Sequence, residues 1–367
     1  MTHYLAAWHR PRPGHPPRRH GGFFATVVLC LSVGFAAADP GDFLKRPDSW
    51  FAGVEAQQVA DNILSFQTDS GGWPKNVSTT DRRHAGDRKS LQATYDNGAT
   101  TDELRFLARI YVATQDGKYR DAFNRGISFI LAGQYPSGGW PQFYPPGQGY
   151  HRHITFNDGA MVRLLQFLRE VATDGRYAFV GDTRRKEFAD AFDRGIACIL
   201  NCQIRIDGKL TVWCAQHDEI DFRPRPARSY ELATLSGSES VGITRLLMSL
   251  NEPSPEVVDA VERAIAWFEA AKLTGIRVES VKDRNGPGGF NRVVVQDPSA
   301  PPLWARFYSI ETSKPVFVDR DGVPKQRLDE IGFERRNGYS WYGNWPQRLL
   351  EVEYPAWRKR LAENVKP

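Results

Sequence analysis

The feature that most constrains this chain is that it repeats itself. Arg125-Gly126-Ile127-Ser128-Phe129-Ile130-Leu131-Ala132-Gly133-Gln134 returns as Arg194-Gly195-Ile196-Ala197-Cys198-Ile199-Leu200-Asn201-Cys202-Gln203, an offset of 69 residues. Upstream, Asp96-Asn97-Gly98-Ala99-Thr100 matches Asn157-Asp158-Gly159-Ala160-Met161 at an offset of 61. An insertion of eight residues around 181–186 would reconcile the two offsets. Gln67-x-x-x-Gly71-Gly72-Trp73-Pro74 is echoed by Gln134-x-x-x-Gly138-Gly139-Trp140-Pro141, with a degenerate third copy over residues 203–213. A period this long marks repeated supersecondary units that bury a shared core.

Each unit reads as a pair of helices. Leu104, Leu107, Ala108 and Tyr111 recur at helical spacing, as do Val162, Leu165, Leu168 and Val171. Phe123, Ile127, Ile130 and Leu131 continue the pattern in the second helix of a pair, and residues 240–250 with 257–271 form a later pair. Thr101 ahead of Asp102-Glu103 marks a helix start, and the Gly-Gly-Trp-Pro segments are loops after helix ends. The expected fold is therefore mainly α, an α/α toroid of helix pairs over about 50–275. From Arg277 onward, Pro287-Gly288-Gly289, Asp297-Pro298 and Pro301-Pro302 interrupt short apolar runs such as Val293-Val294-Val295. A smaller part rich in loops and short strands is expected over about 276–345, then a closing helix over about 346–360. No linker divides residues 39–367, so one domain is expected.

The first 38 residues have a different character. Arg18-Arg19-His20 is a positive region, residues 23–35 form a short apolar run, and Ala36-Ala37-Ala38 fits a small-residue cleavage site. That order predicts a secretory signal peptide over residues 1–38 and a secreted or periplasmic mature protein. The leader also distorts the charge balance. The chain holds 48 basic and 43 acidic residues, a net of +5. Removing the leader's four arginines leaves 44 against 43, a net of +1. A strongly basic balance would point to a nucleic-acid partner; here none is expected, nor a membrane once the leader is gone, and the mature protein is expected to be a monomer. Cys198, Cys202 and Cys214 remain after cleavage. An exported compartment permits one disulfide, and Cys202–Cys214 or Cys198–Cys214 suits it better than the helical pair Cys198–Cys202.

Two constellations could do chemistry. Asp96-Asn97-Gly98 and Asn157-Asp158-Gly159 start equivalent helices, so in a toroid they share a rim. Their carboxylates could hold a calcium ion, act as general acid and base, or simply cap the helices. Arg223-Pro224-Arg225-Pro226-Ala227-Arg228 places three arginines on a proline-stiffened loop, suited to fixed recognition of carboxylates or to solvation. Arg306, Lys314 and Arg320 add cations further on. Trp73, Trp140, Trp213, Tyr308, Trp341 and Tyr342 either line a cleft for sugar rings or fill the core.

Six segments in this order resemble one family: Gly71-Gly72-Trp73-Pro74-Lys75-Asn76, Asp96-Asn97-Gly98-Ala99-Thr100, Phe156-Asn157-Asp158-Gly159, residues 223–231 ending in Ala227-Arg228-Ser229-Tyr230-Glu231, Arg306-Phe307-Tyr308-x-Ile310-Glu311-Thr312, and Tyr339-x-Trp341-Tyr342. The set is similar to the pectate lyases of polysaccharide lyase family 10 and runs from about residue 57 to 345. The resemblance implies an (α/α)3 toroid and calcium-dependent cleavage of polygalacturonate or pectin by anti β-elimination. It implies Asp158 as the main ligand of Ca2+, with Asp96 across the cleft beside the metal and needed for activity. Arg228 becomes the Brønsted base, and Asn97, Lys75, Tyr230, Arg306 and Lys314 contact substrate. The family more often has Arg where Lys314 stands. An arginine base needs desolvation and nearby cations to lose its proton, so activity should rise toward alkaline pH. Three rivals are a glycoside hydrolase using Asp96 and Asp158 as its carboxyl pair, a non-catalytic protein binding acidic sugars, and a triterpene cyclase. The cyclase shares the Q-x-x-x-G-x-W pattern, but the chain lacks that family's Asp-x-Asp-Asp motif.

Overall fold

A computed structural model describes residues 39–364. The predicted leader lies outside the described residues. Among them the helices are α1 (Pro40–Phe43), α2 (Val54–Ser65), α3 (Thr101–Thr114), α4 (Gly117–Ala132), α5 (Ala160–Thr173), α6 (Asp182–Cys202), α7 (Glu239–Met248), α8 (Pro255–Ala270), α9 (Phe333–Gly338) and α10 (Tyr354–Asn364). α3 packs on α4, α5 on α6 and α7 on α8; α3, α5 and α7 also touch in succession. This is the expected α/α toroid of helix pairs. The residues read at helical spacing in α3 and α5 are all buried. The second unit's extra residues lie just upstream of 181–186. Two residues separate α3 from α4 and eight separate α5 from α6, six of them in the 3-10 turn Gly175–Val180.

The sequence repeat has a physical cause, because each conserved side chain ties one unit to the next. Gln67 Nε2 donates to the carbonyls of Gly71 and Ala122, Gln134 Nε2 to those of Gly138 and Ala191, and Gln203 Nε2 to those of Thr211 and Ala260. Arg125 and Arg194 donate to the amide oxygens of Gln67 and Gln134. The indole N–H groups of Trp73, Trp140 and Trp213 donate to Ile63, Ile130 and Ile199 carbonyls at 2.7–2.8 Å. Trp304 does the same to Phe268, a fourth copy that the sequence pattern hides. Each bond satisfies a buried group and contributes about 1 kcal/mol. Gly126 and Gly195 sit mid-helix because a Cβ there would meet Leu104 at 2.6 Å and Leu165 at 2.3 Å. Their absence of side chains lets α3 and α4, and α5 and α6, approach closely.

Trp73, Trp140, Trp213, Tyr308 and Trp341 are buried and belong to the core. Tyr342 is half-buried. The three cysteines are also core residues, buried and free, and neither expected disulfide forms. They pack as small apolar groups on the inner side of α6 and beside Trp213.

Past α8 the chain turns to loops and short strands, as expected. The longest are the antiparallel ribbon Ile276–Lys282 with Phe290–Gln296. A smaller core of Tyr230, Phe307, Phe317, Val318, Leu328, Ile331 and Trp341 supports this part. The closing helix is helical from residue 347, with a π turn over Leu349–Glu353 before α10. That turn falls where Pro355 lacks an N–H for a regular helical bond. Two short pairings fix the site. Ile154–Thr155 pairs with Gln216–His217, joining the loop of Asp158 to the segment that reaches Arg228. Leu235–Ser236 pairs with Phe307–Tyr308, placing Arg306 at the start of α7.

Candidate active site

The two loops read as equivalent are equivalent in the backbone. Asn97 has φ +54° and Asp158 has φ +50°, both left-handed, and each stands in the middle of a 3-10 turn ahead of α3 or α5. The turns pack against one another. Neither aspartate caps a helix: Thr100 and Gly159 occupy the N-cap positions, and no side chain caps there. Asn and Asp tolerate the left-handed conformation better than other side chains.

Asp96 is buried, and its Oδ2 is taken by two residues from successive units. Lys75 Nζ forms an ion pair with it, and Gln142 Nε2 donates at 2.7 Å. Lys75 and Gln142 both follow a Gly-Gly-Trp-Pro segment, so the repeat itself aims them at one point. The other oxygen of Asp96, Oδ1, is buried without a hydrogen-bond partner. Asp158 is more open. Its Oδ2 accepts from Asn157 at 2.7 Å, and its Oδ1 lies 3.4 Å from an Nη of Arg306.

Arg228 and Arg306 are both held by carboxylates to which the sequence reading gave no role. Glu231, buried, accepts the Arg228 fork through Nε at 2.7 Å and through Nη2. Tyr339 donates to the same carboxylate at 2.8 Å, and Tyr230 lies beneath Arg228, 4.9 Å from ring centre to guanidinium. The Glu231 bond pushes the Arg228 pKa up, and burial only partly opposes it. The desolvation and cations expected to discharge Arg228 therefore do not prevail, because Glu231 stabilises the charged form. For Arg306 burial works toward discharge, but Glu239, Tyr339 and Asp158 outweigh it and raise the pKa. Glu239 stands in the first turn of α7, bonded to Ser236 and Arg306. It is the third unit's contribution, legible as an acid after Ser236-Gly237-Ser238 had the third unit been read through to its loop.

A polar cavity of about 190 Å³ gathers these groups. Asp96, Asn97, Asp158, Lys75, Arg228 and Glu231 line it, with Gln142, Tyr150, Asn157 and Gln216. Arg306 reaches it through Asp158. Three expected contacts do not line it, Arg306 among them. Tyr230 is buried under the arginines, and Lys314 is exposed on the turn at 309–314. Arg223 is exposed too, and Arg225 is bound by Asp218.

The oxygen donors suit a hard cation. Asp96 Oδ1 is an acceptor lacking a donor, and the Asp158 carboxylate faces the same space. Calcium takes six to eight oxygens, so these two residues fit a metal shared with an acidic ligand rather than a closed protein cage. Among the described residues, the one trio of His, Cys, Asp or Glu close enough to chelate without help is His153, Asp218 and Glu219. Arg225 and Arg152 already pair with its two acids.

A family model described as pectic acid lyase matches residues 67–350. Two similar solved structures are a mutant family 10 polysaccharide lyase from Cellvibrio cellulosa in complex with trigalacturonic acid and a family 10 polysaccharide lyase from the same organism. Each is 35% identical with a TM-score of 0.70 and covers 84% of this chain, and 97% or 96% of its own. No curated protein matches the sequence.

Proposed function

The chain belongs to the pectic acid lyase family and is a pectate lyase, and from that premise we propose that it is an exported enzyme that cleaves polygalacturonate by calcium-assisted anti β-elimination. One observation carries the reading most: Asp96, Asp158 and Arg228 line a single cavity in which Asp96 keeps an unpartnered buried oxygen. A cavity for a polyanion that is rich in carboxylates makes sense only if a cation bridges them to the substrate. Export rests on the leader, and no described helix is long and apolar enough to cross a membrane.

Elimination removes the C5 proton of a galacturonate next to its C6 carboxylate. That proton is a poor acid while the carboxylate keeps its full charge. Calcium held by Asp158, with Asp96 beside it, would supply the positive charge that stabilises the enolate-like transition state. Arg306 is placed by Glu239 and Lys75 by Asp96, and both add cationic charge for the substrate. Asn97 presents its amide from the left-handed turn. Arg228 accepts the C5 proton, and the C4–O4 bond breaks with its electron pair going to O4. O4 departs on the other fragment and takes a proton from water, and the residue left behind is an unsaturated uronide. Because Glu231 holds Arg228 charged, proton acceptance requires alkaline pH and a weakened Arg228–Glu231 pair.

The test is ultraviolet absorbance over time on polygalacturonate at alkaline pH, with calcium and with chelator. A rise from the conjugated double bond, lost with chelator and restored by calcium, is the expected result. New reducing ends without that rise would mean hydrolysis and overturn the proposal. No turnover of either kind would leave a binding protein.

A further inference from the structure

Arg228 and Arg306 are each held by a buried carboxylate. A second cavity, about 160 Å³, has arginines without one. It lies between the antiparallel ribbon, α9 and the segment that follows α9, and it shares no lining residue with the catalytic cavity. Arg292 comes from the ribbon and Arg336 from α9. Arg335 and Arg336 are the two buried arginines of the described residues. Arg335 is paired with Glu334. Arg336 makes no ion pair among the described residues: its Nη1 donates to the Asp329 carbonyl at 3.0 Å, and its Nε is enclosed without a partner. Arg292 gives its Nη1 to the Tyr339 carbonyl at 2.9 Å. Neither the Nη2 of Arg336 nor the Nε and Nη2 of Arg292 donates to a described residue, and none of the three is enclosed. The acids around them are engaged elsewhere. Asp329 gives its carboxylate to Arg327, which lowers its pKa more than Arg336 does. Glu279, on the ribbon, is paired with Arg277. A buried arginine almost always has a counter-charge, and here the protein supplies none at ion-pair distance.

We propose that this cavity is an accessory subsite that takes the C6 carboxylate of one galacturonate unit, away from the cleaved bond. The assignment rests on the lyase reading above. Two guanidinium groups offer open N–H donors, and arginine recognises a carboxylate through two parallel hydrogen bonds. The substrate carboxylate would be the counter-charge that the protein does not provide. Val278, Leu328 and Tyr342 give apolar surface for the carbon face of the sugar. The volume suits the carboxylate arm of one unit, and the exposed Ser340 stands where the rest of the chain would stay outside. One residue joins this site to the catalytic cavity. Tyr339 turns its carbonyl to Arg292, its hydroxyl to Glu231 and its ring to Arg306, 5.0 Å from ring centre to guanidinium. A chain long enough to reach past Tyr339 therefore gains a second anchor, and a shorter one does not.

The experiment measures kcat and KM on oligogalacturonates of increasing length. In wild type KM should fall about tenfold at one added unit, the worth of a hydrogen bond to a charged group. Ser340→Glu places a carboxylate at the mouth, where it competes for both arginines. It should abolish that step and leave kcat and the shorter substrates unchanged. Ser340→Gln should keep the step, which separates charge from bulk. A second measurement needs no turnover: retardation in a gel containing polygalacturonate and chelator, taken relative to a polymer-free gel. Ser340→Glu should be retarded less than Ser340→Gln, and the difference should vanish in the fully methyl-esterified polymer. A length series without a step, or the same step in Ser340→Glu, would overturn the subsite alone. So would equal retardation of the two variants with inorganic phosphate raising the Tm of Ser340→Gln but not of Ser340→Glu, which would make the cavity a site for a small anion. No turnover at any length would sink the lyase reading. If the two variants still differed in retardation, the carboxylate site would stand without it.

Discussion

Asp96-Asn97-Gly98 and Asn157-Asp158-Gly159 share one backbone, yet the carboxylate has moved by one residue between them. In the first turn the acid precedes the left-handed residue. It is buried, gripped by Lys75 and Gln142, and left with one free oxygen. In the second turn the acid is the left-handed residue, and its side chain is 45% exposed. A repeat thus gives two carboxylates on one cavity wall with different duties. The fixed one is part of the protein's structure as much as of its site, and the open one is free to exchange ligands.

That contrast can be broken by substitution. The largest effects should be on turnover: Asp158→Ala and Arg228→Ala should each reduce the initial rate about a thousandfold or more while the fold persists. Full activity in either variant removes that residue's assigned role. The next effect separates the two loops by stability. Asp96→Ala leaves Lys75 unpaired and Gln142 without an acceptor, and should cost about 2–4 kcal/mol in urea unfolding. Asp158→Ala should cost only about 1 kcal/mol, the strain of alanine at a φ of +50°. Equal losses would mean the loops are not divided as described.

A pH profile sharpens the chemistry. Glu231 raises the Arg228 pKa, and a base works only once deprotonated. Glu231→Gln should therefore move the alkaline rise of kcat/KM to lower pH. A rise that stays in place or moves upward would show that Arg228 is not the group titrating. The smallest effect tests the shared backbone. Asn97→Gly should be close to neutral, whereas Asn97→Ala should cost about 1 kcal/mol, because alanine resists a φ of +54°. No difference between them would mean the left-handed turn is not retained in solution.

Much of the fold was legible because its signals are local. Helical spacing marked α3, α4 and α5, and the repeat marked the units, since its Gln and Trp make the same bonds in three copies and its Arg and mid-helix Gly the same contacts in two. The carboxylates of the site were legible for the same reason: Asp96 and Asp158 stand in the same turn of the repeat, one position apart. Glu231 stood within a recognised segment, three residues after Arg228, but nothing in that spacing distinguishes a partner from a bystander. The aromatic residues offered as a cleft lie in the core, where indole N–H groups find carbonyls of the preceding unit.

The sequence by itself therefore determined the helix pairs, their order and the residue types at the rim, because periodicity and covalent spacing act within a few turns of chain. Tertiary structure alone decided that Lys75 and Gln142 meet at Asp96, that Glu231 and Glu239 hold the two arginines charged, and that Lys314 stands apart. Those outcomes depend on how loops from different units close over one cavity. Apart from Glu231, three residues from Arg228, a charge's strength there is set by burial and by partners tens to more than a hundred residues away, which no local pattern encodes.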